Sequence, residues 1–230
     1  MDILDDTSEK ARALLRRLGV YEVSSGIWAF TDVEVASHGH VHHSQQPVAL
    51  AAYAAINPTF AAGRFPGYTL IELVEKVRSM DSTEDAALAM VCQIPPPIDG
   101  APEERGEKFG EVAWHIVKKY ELHACFTESR PWGIQEGSHY TMRPCGFDHD
   151  RSEPDPEGLK VMRRAYRKMT DLQRVMVLTL LHLYSPGKDD FYLIGGSPTK
   201  ISAAEALAVL RANGTALREW GLLVTHYAGW

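Results

Sequence analysis

Four of the ten histidines fall within six positions, in the run Ser37-His38-Gly39-His40-Val41-His42-His43. Side chains alternate along an extended chain, so His38, His40 and His42 are expected on one face. Three imidazoles on one face form a donor set for zinc or another divalent transition metal, with a position left for water or substrate. His139, Asp148, His149 and Asp150 could supply a fourth ligand. One reading is therefore a metal-dependent enzyme. The other is a polar loop whose histidines titrate or collect adventitious metal.

The spacing superficially resembles the HxHxDH motif of metallo-β-lactamase-fold hydrolases. His42 stands where that motif has Asp, and the later motifs of the family are absent. Its activity is not carried to this chain.

A second chemistry is electrostatic. Residues 1–155 carry 14 Lys and Arg against 24 Asp and Glu, whereas residues 156–230 carry 10 against 6. The positive charge of the second part gathers in Lys160, Arg163, Arg164, Arg167, Lys168 and Arg174. Steps of three and four return to the same face of a helix, so Lys160, Arg163, Arg164, Arg167 and Lys168 form one basic stripe. Such a stripe can neutralise phosphates, the guanidiniums by bidentate contact. Its competing reading is a solvated helix face docked on acidic protein surface.

The C-terminal run carries a third signal. Ser202-Ala203-Ala204-Glu205-Ala206-Leu207-Ala208-Val209-Leu210 reads as a capped amphipathic helix, and a break at Asn213-Gly214 leads into Thr215-Ala216-Leu217-Arg218-Glu219-Trp220. The run resembles the helix-turn-helix of MerR-type regulators and phage excisionases at Ser202, Glu205, Ala206, Leu210, Leu217, Arg218 and Trp220. Arg211 replaces the turn glycine of that family. The resemblance implies a small core of Leu210, Leu217 and Trp220, with Asn213, Thr215 and Arg218 turned toward bases in the major groove. A two-helix packing unit explains the same apolar periodicity.

Other catalytic signatures are missing. Neither a Walker A loop, nor GxSxG, nor HExxH occurs, and Gly195-Gly196-Ser197 lacks the spacing of a phosphate-binding loop. Cys125 and Cys145 lie near His123, His139 and His149 in sequence, which permits a Cys/His nucleophile, although buried inert thiols are the commoner outcome. Trp132, Tyr140 and Phe147 could line a partner surface or anchor their own segment to a core.

The elements that would position these groups follow from periodicity and punctuation. Helices are expected over residues 7–18, 47–56, 69–80, 82–91, 103–120, 157–168, 171–184, 202–212 and 215–226. A hairpin is expected from residues 20–23 and 27–36, and short strands over 122–127 and 191–194. Residues 130–156 hold Pro131, Gly133, Gly137, Pro144, Gly146, Pro154 and Pro156 with little periodicity, and read as an irregular functional segment or linker.

At 45% hydrophobic and 23% charged residues, the 230-residue composition excludes a disordered, collagenous or coiled-coil chain. Three widely spaced cysteines favour a reducing compartment over a disulfide scaffold. The acidic N-terminus is unlike a signal peptide, and no apolar run approaches the ~20 residues of a membrane span. The expected class is α+β and predominantly helical: an N-terminal helix and β-hairpin followed by helices, then a smaller helical C-terminal domain. The expected domains are an acidic one over 1–155 and a basic one over 156–230. The expected role is that of a cytoplasmic, bacterial-type accessory or regulatory protein, with a mobile element as one setting, touching double-stranded DNA through the basic part. A metal-dependent enzyme and a protein-binding adaptor are the alternatives, and no membrane role is expected.

Overall fold

The computed structural model describes residues 13, 20–24, 27–30, 69–78, 102–128, 139–148, 150–186, 188–193 and 200–227. The chain divides into two units, Met1–Asp99 with Ser202–Thr225, and Gly100–Ile201 with His226–Trp230. The described residues are predominantly helical, with small antiparallel strand pairs. Among them no helix is long and apolar enough to cross a membrane.

In the first unit, strands β1 (Val20–Ser24) and β2 (Ile27–Phe30) pair antiparallel, with an irregularity between Glu22 and Ser24. Helices α1 (Leu70–Arg78), α6 (Ala203–Ala212) and α7 (Ala216–Thr225) pack on one another. Each contributes an apolar stripe at helical spacing. Leu70, Leu73 and Val74 of α1, Ala203, Ala206, Leu207 and Leu210 of α6, and Ala216, Trp220, Leu223 and Val224 of α7 are all buried. The N-termini of α1 and α6 are tied together, since Thr69 and Ser202 form an antiparallel bridge. Both residues also close capping boxes. Thr69 N–H donates to Glu72 Oε2 at 2.7 Å, and Glu72 N–H returns to Thr69 Oγ1 at 3.2 Å. Ser202 and Glu205 repeat the exchange at 3.2 and 3.1 Å.

The second unit opens with α2 (Pro102–Lys119), which buries Phe109, Ala113, Ile116 and Val117. Two residues beyond its end, Glu121 at a φ of +55° lets Leu122 N–H reach back to the Val117 carbonyl at 2.9 Å. Strand β3 (Phe126–Glu128) pairs with β4 (Met142–Pro144), and β5 (Phe147–Asp148) pairs with β6 (Glu153–Pro154). Helices α3 (Pro156–Lys168), α4 (Asp171–Tyr184) and α5 (Asp189–Leu193) follow. Every residue of α4 from Val175 to Leu183 is buried. Thr170 and Gln173 cap it with a third box, and Gln173 Nε2 donates to the Tyr120 carbonyl at 2.9 Å, joining α4 to the end of α2.

Three expectations change. Residues 191–194 were expected as a strand, whereas Asp189–Leu193 is a helical turn with Tyr192 and Leu193 buried. A four-residue apolar run carries no period long enough to separate the two states. Residues 122–125 form turns, and the strand starts only at Phe126. The segment 130–156 is not wholly irregular, because it contributes β4, β5 and β6. Asp155, the last residue of the expected acidic domain, is the N-cap of α3. The helices expected over 47–56 and 82–91 lie outside the described residues, as does that over 7–18 apart from helical Ala13.

Candidate nucleic-acid interface

Helix α3 is built for a fixed orientation. Asp155 accepts from Glu157 N–H at 3.2 Å, and Pro156 opens the first turn, where a missing N–H costs nothing. Leu159, Met162 and Tyr166 are buried at steps of three and four. Near Gly146, at φ +101°, the backbone passes so close that an added Cβ would lie 2.5 Å from Leu159 Cδ2. The Gly146 carbonyl accepts from Asp155 N–H at 2.9 Å, so the β4–β5 turn forms the seat of α3.

Opposite the buried stripe lie Lys160, Arg164, Arg167 and Lys168, all exposed. At ~100° per residue they span about a third of the helix circumference. Lys160 pairs with Glu157 at 3.1 Å, with both side chains well exposed, and a pair of that kind contributes little. Val161, 56% exposed, adjoins the stripe. Arg167 and Lys168 also occupy the last turn, where cations favour the helix dipole.

Three arginines of the basic segment have structural partners, and one of them is local, since Arg167 Nε donates to the Arg163 carbonyl within α3 at 3.2 Å. Arg163 is half-buried, and donates from Nε to the Tyr192 carbonyl at 3.0 Å and from Nη2 to the Phe191 carbonyl at 2.8 Å. It thereby terminates α5. Arg174 reaches back from α4 to the end of α3, donating to the Arg167 carbonyl at 3.0 Å and the Tyr166 carbonyl at 3.4 Å. Its guanidinium lies 5.9 Å from the centre of the Tyr166 ring.

The α6–α7 turn presents the other expected contacts. Asn213, Thr215 and Arg218 are exposed. Asn213 Nδ2 donates to the Val209 carbonyl at 2.7 Å, and Thr215 Oγ1 donates to Glu219 Oε1 at 2.8 Å. Both side chains therefore serve the ends of their own helices. Leu210 and Trp220 are buried and Leu217 is half-buried, and Gly214 supplies the left-handed residue at φ +57°. These three turn residues belong to the first unit and the α3 stripe to the second.

The remaining expected sites are accounted for as follows. His38, His40 and His42 lie outside the described residues. Among the described residues no group of three or more His, Cys, Asp or Glu is placed to hold a metal ion. Asp148, named as a fourth ligand, accepts from Asp150 N–H at 3.0 Å and Arg151 N–H at 3.1 Å within its own turn. Burial pushes the Cys125 thiol up to about 12 and the Cys145 thiol up to about 11, the reverse of an activated nucleophile. His123 is exposed. Tyr140 is 47% exposed, and Phe147 meets Phe191 edge to face at 6.5 Å. His226 carried no signal in the sequence. It is buried, its Nδ1 has no hydrogen-bond partner among the described residues, and burial, Lys108 and Arg105 hold its pKa below the ordinary 6.5.

No protein-family model, no curated protein and no solved structure matches the chain.

Proposed function

We propose that this is an accessory or regulatory protein that contacts the phosphate backbone of double-stranded DNA through the exposed face of α3. The observation that carries the reading is the placement of Lys160, Arg164, Arg167 and Lys168 opposite the buried Leu159, Met162 and Tyr166. A helix seated on one side offers its cations as a set, with little further ordering of the backbone on contact. Phosphate neutralisation of this kind releases counterions and is independent of base sequence. Arg163 and Arg174 hold the surroundings of α3 through their bonds to the carbonyls of residues 191 and 192 and of residues 166 and 167.

The test is a triple neutral variant of the whole chain, Lys160→Gln, Arg164→Gln and Lys168→Gln. A fragment of residues 156–230 would carry α6 and α7 without α1, against which they pack. With three phosphate contacts removed, the slope of log affinity against log salt should become shallower by about 2.7. An unchanged slope would remove α3 from the interface.

A further inference from the structure

Strands β3 and β4 pair Phe126 with Pro144, Thr127 with Arg143 and Glu128 with Met142. One more step along the same register sets Cys125 directly opposite Cys145. The rung is present, because Cys145 N–H donates to the Cys125 carbonyl at 2.8 Å. Its other half is missing, since Cys125 N–H closes the preceding turn on the Leu122 carbonyl at 2.8 Å. Pro144, which has no N–H, occupies the neighbouring position of the ladder, where none is needed.

Opposed residues in an antiparallel ladder project to the same face. In a hydrogen-bonded pair their Cα atoms stand ~5.5 Å apart, within the range a disulfide requires. Both cysteines are reduced here; Cys125 is buried and Cys145 is half-buried. We infer that Cys125 and Cys145 are a dithiol poised to form a cross-strand disulfide, which would staple β3 to β4 beside the seat of α3. The inference is independent of the DNA reading.

The oxidant is a small-molecule disulfide of the glutathione class. The more accessible Cys145 loses its proton and attacks one sulfur of the oxidant, releasing one thiol and leaving a mixed disulfide on Cys145. The Cys125 thiolate then attacks the Cys145 sulfur, the protein disulfide forms and a second thiol leaves. Two protein thiols are oxidised and one small disulfide is reduced to two thiols. Burial raises both protein thiols above their ordinary range, so the reaction is slow at neutral pH and quickens as pH rises.

The experiment uses the full chain carrying Cys92→Ser, incubated with oxidised glutathione at mildly alkaline pH. Loss of about 2 Da in the intact mass, with a peptide map joining Cys125 to Cys145, is expected. The unfolding temperature should rise by several degrees and return on reduction. Cys145→Ala in the same background should show neither the mass loss nor the shift. Stable glutathione adducts on the two cysteines, or unchanged mass after prolonged oxidation, would overturn the inference. So would a disulfide that leaves the unfolding temperature unmoved.

Discussion

Arg163 donates its Nε–H to the carbonyl of Tyr192 at 3.0 Å, so a residue expected on phosphate instead closes a neighbouring helix. A second donation, to Phe191 at 2.8 Å, completes a fork that fits two successive carbonyls. Arg163→Ala should therefore cost about 2–4 kcal/mol in urea unfolding, as two charge-assisted bonds are lost and two carbonyls lose their donors. Arg163→Lys should recover less than half of that, because an ammonium lacks the planar fork. A loss below about 0.5 kcal/mol for Arg163→Ala would mean the fork contributes nothing.

Gly146→Ala should be among the most damaging small substitutions. Its φ of +101° is strained for any other residue, and the new Cβ would lie 2.5 Å from Leu159 Cδ2 and 2.8 Å from Leu159 Cγ. A cost of about 2–4 kcal/mol is expected. Leu159→Ala in the same chain should relieve the steric part, so the double variant should lose less than the two single losses added. A double-mutant cycle reads this directly, and strict additivity would place the strain elsewhere.

Stability should depend on His226 as pH falls. Burial, with Lys108 and Arg105, depresses its folded pKa below the ordinary 6.5, so between those two values the unfolded chain binds more protons. This contribution is fully present above 6.5 and declines as pH drops toward the folded value, below which it is constant. His226→Gln should flatten that part of the profile between pH 7 and 5, measured by thermal unfolding. A variant profile parallel to the wild type would show that other groups govern the slope.

The shared caps of α1 and α6 give a further expectation. Ser202→Ala removes the side chain that accepts from Glu205 N–H at 3.1 Å, and should cost about 1 kcal/mol. Ser202→Asp should restore most of it, since Asp also caps well. Equal losses for both substitutions would show that the cap is not the cause.

Much of the second unit was legible because its signals are local. Residues 171–184 coincide with α4, and Thr170 with Gln173 forms the box that sets its start. The stripe of α3 followed from steps of three and four. What could not be read came from long range. Nothing local in residues 202–225 shows that they share a unit with α1, which depends on faces meeting across more than a hundred residues. The fork of Arg163 takes its carbonyls from 28 and 29 positions away, so spacing placed it on a basic face without revealing its partners. The opposition of Cys125 and Cys145 likewise arises from strand register, which a low-periodicity segment does not display.

The central claim is tested by fluorescence anisotropy of a mixed-sequence DNA duplex titrated with the whole chain across a series of salt concentrations. With Lys160, Arg164, Arg167 and Lys168 engaged, log affinity should fall linearly with log salt at a slope of about −3.6, with little preference for duplex sequence. No binding at low salt, or an affinity indifferent to salt, would contradict a phosphate-contacting face on α3.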